Sequence, residues 1–383
     1  MPFKRFLNFL TSLRLTVACL CLGLVLVFIG TLAQVDLGLY KAQNEFFRSF
    51  FVYWTPKGGN WKIPVFPGGY LVGTVLLANL IAAHIKRFRF EAKKTGIWMI
   101  HSGLILMLLG QLLTDVLSHE SRMHIRVGSS SNYSESVADF ELAVVETTDP
   151  QSDKVVAIPQ SVLVHEKEIR HPELPFSIEL TKLFPNSELS LSNAPGFLAT
   201  PAISPGEPAV WVREIPLVTT TDSRDVPSAM LEIKTPQGSL GARFVSAHLS
   251  LANNLALGNR TFEIALRPKR SYKPFSLYLE KFNHGIYKGT DIAKDFSSLV
   301  RLHRPETGED REVRIYMNNP LRYNGETYYQ ADWDHNDDLG TILQVVHNPS
   351  WLTPYFSCAL VGFGMLVQFG MHLYGFINKR LHT

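Results

Sequence analysis

Cysteine is scarce in this chain, with 3 in 383 residues. Cys19, Cys21 and Cys358 all fall inside apolar runs, so no disulfide can staple the polar middle, and the absence of CxxC and CxxCH excludes a dithiol exchange motif on this polypeptide. They read as small apolar space-fillers in helices. A strong excess of one charge is missing too. With 37 Lys plus Arg against 34 Asp plus Glu, the net charge of +3 does not mark nucleic acid as a partner. No nucleophile elbow, phosphate loop, dinucleotide fingerprint or metalloprotease helix occurs. Aromatics are plentiful: 24 Phe, 13 Tyr and 6 Trp exclude a disordered chain.

The averages of 46 % hydrophobic and 19 % charged residues resemble those of a soluble protein, yet the apolar residues are gathered in blocks. Residues 15–35 carry no formal charge and suffice, at 1.5 Å per residue, to cross a hydrocarbon layer of roughly 30 Å. Further spans are expected over 70–85, 95–114 and 354–377. Lys4, Arg5 and Arg14 precede the first as in a signal peptide, but its apolar part is too long for a typical one and cleavage is not expected. Lys and Arg resist translocation, so the N-terminus, the 85–95 connection (Lys86, Arg87, Arg89, Lys93 and Lys94 against Glu91) and the C-terminus with Lys379 and Arg380 are all expected to be cytoplasmic. The long segment between spans three and four then lies outside. No Ser- and Arg-rich transit pattern precedes the first span, which favours a bacterial inner membrane. The expected fold is a membrane protein of four transmembrane α-helices plus a large extracytoplasmic mainly-β domain, divided as 1–118, 119–350 and 351–383.

Between the first two spans, Phe46, Phe47, Phe50, Phe51 and Trp54 share one side of a helix expected near 40–54, with Glu45 and Arg48 opposite. It fits an interfacial helix or one packed on the outer domain. From 119 to 350 the period is two, as in Phe140-Glu141-Leu142-Ala143-Val144-Val145, with one short helix expected near 291–296. Pro175-Phe176-Ser177-Ile178 echoes Pro274-Phe275-Ser276-Leu277, which a duplicated module or chance likeness of two amphipathic strands explains equally. Asn324-Gly325, between aromatic alternating residues, predicts a tight hairpin turn because both positions tolerate positive φ.

Histidine is the residue with chemistry to offer. Nine of the 13 lie in the outer segment with no i, i+4 pair and are expected at the surface. An ionisable group within a span is costly and is usually kept for a function or a partner. His101 lies six residues into span three, about 9 Å from its start. Gly96, Gly103 and Gly110 recur every seven residues as a smooth stripe for a neighbouring helix, and His101 points away from it, beside Ile97, Ile105 and Leu108. A neutral imidazole there suits a soft or borderline metal such as haem iron, or else a hydrogen bond to another helix. His372, with Gln368 one turn earlier, and His84, at the edge of span two, are lesser candidates that can equally snorkel to the interface.

The order of these pieces resembles the ResB (CcsB) family of system II cytochrome c biogenesis. The resemblance runs through Gly30-Thr31-Leu32-Ala33-Gln34, the aromatic segment 40–54, His101-Ser102-Gly103-Leu104-Ile105-Leu106, residues 274–282 and 319–330, and Asn348-Pro349-Ser350. It implies an inner-membrane subunit that, with a CcsA (ResC) type partner, takes part in carrying haem outward and delivering it for attachment to the CxxCH of apocytochrome c. It also implies haem b as the group handled, His101 as an axial ligand of its iron, and a second histidine supplied by the partner. Lys86, Arg87 and Lys94 at the cytoplasmic mouth then either meet the haem propionates or serve as ordinary anchors. The tryptophan-rich haem-handling segment belongs to the partner, so this chain is not expected to form thioether bonds alone, though it would be part of a cytochrome c haem lyase complex. The competing reading is a non-catalytic membrane scaffold whose β domain binds or stabilises partners.

Overall fold

A computed structural model of the protein describes residues 2–54, 56, 61–86, 91, 94–149, 152–201, 210–217, 225–249, 253–288, 293–334 and 339–381. Its α-helices in chain order are α1 (Pro2–Leu10), α2 (Leu13–Leu37), α3 (Leu39–Ala42), α4 (Gly69–Lys86), α5 (Thr95–Leu117), α6 (Gln160–His165) and α7 (Thr353–Leu381). The chain divides into a helical unit, built mainly from Met1–His119 and Asn348–Thr383, and a β unit of Glu120–Val218 and Ser223–His347. Among the described residues, α2, α4, α5 and α7 are long and apolar enough to cross a membrane.

In the helical unit, α2 starts where the Ser12 hydroxyl accepts the Leu15 N–H at 3.2 Å, capping one of the free donors of the first turn. The expected glycine stripe is the seam between α5 and α7. Gly96, Gly103 and Gly110 are the buried residues of α5. A Cβ on Gly103 would come within 2.6 Å of Val361 Cγ2, and one on Gly96 within 2.6 Å of both Gln368 Cβ and the Gly364 carbonyl. Small residues thus let the two backbones approach, and the Ser357 hydroxyl donates to the Gly103 carbonyl at 2.7 Å across the gap. At the far end of the seam Asn348 and Ser350 form a polar knot with Thr114 on the last turn of α5. Asn348 Nδ2 donates to the Thr114 hydroxyl at 3.3 Å, the Thr114 and Ser350 hydroxyls lie 3.1 Å apart, and Asn348 Oδ1 accepts the Ser350 N–H at 2.9 Å.

The helix expected over 40–54 is corrected. The chain is helical only through α3 and a π-turn at Gln43–Phe47. Phe51–Trp54 then pairs antiparallel with Ile63–Pro67. Alternating β-branched and aromatic residues suit a pleated surface as well as a helix stripe, and a partner strand decides between them. Phe47 is used inside the unit, its ring packed on Gly30 of α2. Arg48 pairs with Asp115 of α5 at 2.9 Å, and the Tyr70 hydroxyl donates to the same carboxylate.

The β unit is built around the long strand Arg260–Ile286. It pairs with Ala293–Arg304 on one side and Ser130–Asp149 on the other, in a ten-stranded sheet that continues through His119–Arg126, Gly340–His347, Glu326–Trp333 and Leu321–Tyr323. Ala293–Arg304 occupies the place where a short helix was expected near 291–296. The helix present instead is α6; residues 291 and 292 lie outside the described set. A four-stranded sheet containing Ser177–Phe184 and Ser228–Thr235 accompanies the large one. One core gathers Leu142, Val144, Ile178, Leu231, Ile233 and Phe262; a second gathers Met123, Phe275, Leu277, Val300, Leu302 and Tyr328. The two echoing segments hold like positions in these cores. Phe176 meets Phe262 edge-on at 5.2 Å, and Phe275 meets Tyr323 edge-on at 4.8 Å. The Asn324-Gly325 turn forms as the sequence predicts, with φ of 50° and 79°.

Candidate functional site

The α4–α5 pair brings two candidate imidazoles together. Because the helices run antiparallel, His84 near the end of α4 lies beside the first turns of α5, and its ring centroid is 6.2 Å from that of His101, with planes at 77°. Trp98, one turn before His101, packs its ring on His84 at 4.2 Å, edge to face. The Ser102 hydroxyl lies 3.5 Å from His84 Nε2, at the limit of a hydrogen bond. All four residues are half-buried. Since glycines occupy the buried seam with α7, the imidazoles stand on a flank of α5 that the apolar side chains of Ile97 and Leu104 leave open, at 41 % and 38 % exposure. The groove between α1 and α4, about 420 Å³ and lined by Leu7, Ala78, Ile81, Ala82, Ile85 and Lys86, contains neither imidazole.

His372 stands apart from this pair. On α7 it accepts an N–H from the Gln368 side chain at 2.9 Å, the neighbour its spacing predicts. The basic groups are engaged within the chain: Lys86 donates to Asn8 Oδ1 at 2.6 Å and to the Thr11 hydroxyl at 3.1 Å, and Lys94 pairs with Glu91 at 2.8 Å. Arg87 lies outside the described residues.

A polar position the sequence reading passed over is Asn79, 1 % exposed in the middle of α4. It accepts from the Thr16 hydroxyl at 2.6 Å and donates to the carbonyls of Leu10 and Ser12, stitching the break between α1 and α2. The signal was available, since an amide inside an apolar run is as unusual as an imidazole. In the β unit every described histidine is exposed except His284, which is half-buried and packed against Phe296 and Trp333 at 4.9 and 4.4 Å, in a cluster whose other two rings lie 5.0 Å apart. Among the described residues no group of three or more His, Cys, Asp or Glu side chains is placed to hold a metal ion.

Comparison with known proteins bears out the resemblance. The model of the ResB-like family matches residues 241–350. That stretch covers the later strands of the β unit, including the Asn324-Gly325 hairpin, and the Asn348–Ser350 knot. Protein NrfI of Wolinella succinogenes is 26 % identical over 305 residues, which take in 76 % of this chain. The chain spans only 29 % of the length of that relative.

Proposed function

We propose that this chain is the large-domain subunit of a cytochrome c maturation complex of the system II type, and that it takes part in moving haem across the inner membrane and presenting it for attachment to the CxxCH of apocytochrome c. The observation that carries the reading is His101: an imidazole about 9 Å inside a span, on the open flank of a helix whose other flank is closed by a glycine seam. The resemblance to the ResB-like family supports it.

In this reading haem b is the cargo, a flat apolar macrocycle with two carboxylates and an iron that takes axial ligands. His101 supplies a nitrogen lone pair to one face of the iron. Ile97 and Leu104 offer lipid-depth apolar surface to the ring. The seam packs α5 closely on α7, so the imidazole is presented from a backbone held by its neighbour. A CcsA (ResC) type membrane protein supplies the opposing ligand and the tryptophan-rich surface on which the thioether bonds form. With the chain termini and the 85–95 connection on the cytoplasmic side of the spans, the β unit works in the periplasmic or equivalent external space, where apocytochrome c is met.

The test is to purify the chain with its CcsA-type partner and record the haem spectrum for wild type and for His101→Ala. Loss of most of the bound haem, with the complex still assembled, is the expected result. An unchanged spectrum would overturn the delivery role and leave a membrane-anchored scaffold whose β unit binds partners.

A further inference from the structure

We infer that the groove between α1 and α4 is a binding site for an anionic glycerophospholipid of the leaflet that holds α1, with one acyl chain lying in the groove and the phosphate meeting Lys86 and Lys4 at its mouth. The inference rests on the reading of the four long apolar helices as membrane spans and is independent of haem.

Polar stitches hold α1 against α4 at the two ends of this groove. At one end Asn79 accepts from the Thr16 hydroxyl and donates to the carbonyls of Leu10 and Ser12; at the other Lys86 donates to Asn8 Oδ1 and to the Thr11 hydroxyl. Between them Ala78 and Ala82, one turn apart, leave a low floor beside Ile81 and Ile85, with Leu7 of α1 facing it. The lining is apolar for about two turns, or roughly 12 Å. Left empty at membrane depth, a space of about 420 Å³ would deprive those side chains of their dispersion contacts, and an acyl chain restores them. Charge then selects the lipid. Neither Met1–Val35 nor α4 contains an Asp or Glu. Among the described residues the partners of Lys86 are the neutral Asn8 and Thr11. Lys4 is exposed and stands one turn before both Leu7 and Asn8, the residues of α1 that meet α4, so it shares their side of the helix. The mouth thus carries two cations that no carboxylate offsets. Lys94 is the contrast, since Glu91 meets its charge at 2.8 Å. A zwitterionic headgroup would bring a further ammonium to this mouth, whereas an anionic one brings net negative charge. The make-up of α1 sets the mouth at headgroup depth: Lys4, Arg5 and Asn8 on one side and Phe6, Leu7 and Leu10 on the other are the pattern of a helix lying in the interface.

The experiment places the full chain in nanodiscs of phosphatidylcholine and adds phosphatidylglycerol or phosphatidylcholine carrying a nitroxide on the acyl chain, with the immobilised fraction read by electron paramagnetic resonance. Wild type is expected to prefer phosphatidylglycerol by roughly five-fold or more, the factor that one basic residue contributes at an anionic lipid surface. Lys86→Gln, whose amide can still donate to Asn8 and Thr11, and Lys4→Gln should each lower that preference several-fold. Ala82→Phe fills the floor of the groove without touching the charges, and should release the immobilised lipid whichever headgroup it carries. Lys94→Gln should change nothing. Equal immobilisation of the two lipids by wild type overturns the inference. So does a loss of preference in Lys94→Gln as large as in Lys86→Gln, which would mean a general attraction of anionic lipid to a basic surface. A preference that survives Ala82→Phe undiminished also overturns it, because the acyl chain would then lie elsewhere.

Discussion

Leucine behaves in opposite ways in the two units of this protein. In the helical unit Leu24 and Leu366 are 72 % and 71 % exposed, and the buried positions of α5 are glycines; in the β unit Leu142, Leu277 and Leu302 are fully buried while Arg, Lys, Asp and Glu pair at the surface. The physical cause is the medium that receives the side chain. With the four long apolar helices read as membrane spans, lipid would cover the outside, burying leucine against protein would gain little, and cohesion would come from close backbone approach and a few polar stitches. Where water covers the outside, removal of apolar surface dominates.

The comparison can be broken by exchanging the rules. The largest effect is expected from Phe275→Ala, which opens a cavity in a closed β core and should cost about 3–5 kcal/mol, read as a lowered midpoint in denaturant unfolding. Gly103→Leu should cost about 1–3 kcal/mol, because the added side chain meets Val361 and the Ser357 carbonyl; the loss would be read as earlier melting of the detergent-solubilised chain. If instead Gly103→Leu were neutral and Phe275→Ala mild, the assignment of cohesion to seam and core would be wrong. The smallest effect belongs to the surface carboxylates of the β unit. The Tyr323 hydroxyl and then Arg311 hold Glu309 below the usual carboxylate range, and Arg301 does the same for Asp310. The folded state therefore binds fewer protons than the unfolded one. Their contribution is present above the ordinary carboxylate pKa of about 4, and is lost as pH falls through the depressed folded values. The double variant Glu309→Gln, Asp310→Asn should flatten the acid limb of an unfolding titration, with a small loss of stability at neutral pH and no loss below the depressed folded values.

What could be read in the sequence follows the same division. The seam was legible because glycines seven residues apart admit few other uses in an apolar helix, and the Asn324-Gly325 turn because its two residues tolerate positive φ. The segment 40–54 was not, since Phe46, Phe47, Phe51 and Trp54 share a helical stripe while the β-branched and aromatic run Phe51-Val52-Tyr53-Trp54 suits a strand equally, and the pairing strand Ile63–Pro67 lies further along the chain. The residues 291–296 misled for a related reason: polar charged neighbours imitate a helix start, while the pairing of Ala293–Arg304 with the long strand Arg260–Ile286 is a tertiary fact. The place of His101 within α5 was legible from the apolar run around it. The approach of His84 was not, because its distance from the cytoplasmic edge suggested a snorkelling side chain, and only the antiparallel run of α4 against α5 puts it opposite His101.

The knot of Thr114, Asn348 and Ser350 has a topological meaning beyond its few hydrogen bonds. It ties the end of α5 to the residues that lead into α7, so the polypeptide leaves the helical unit and comes back to it at one clasp. Everything in between is an insertion whose ends are already closed, and its length adds only logarithmically to the entropy of joining those two helices. Such an insertion is free to grow, shrink or be traded for a different module while the helix pair beneath the clasp keeps its register.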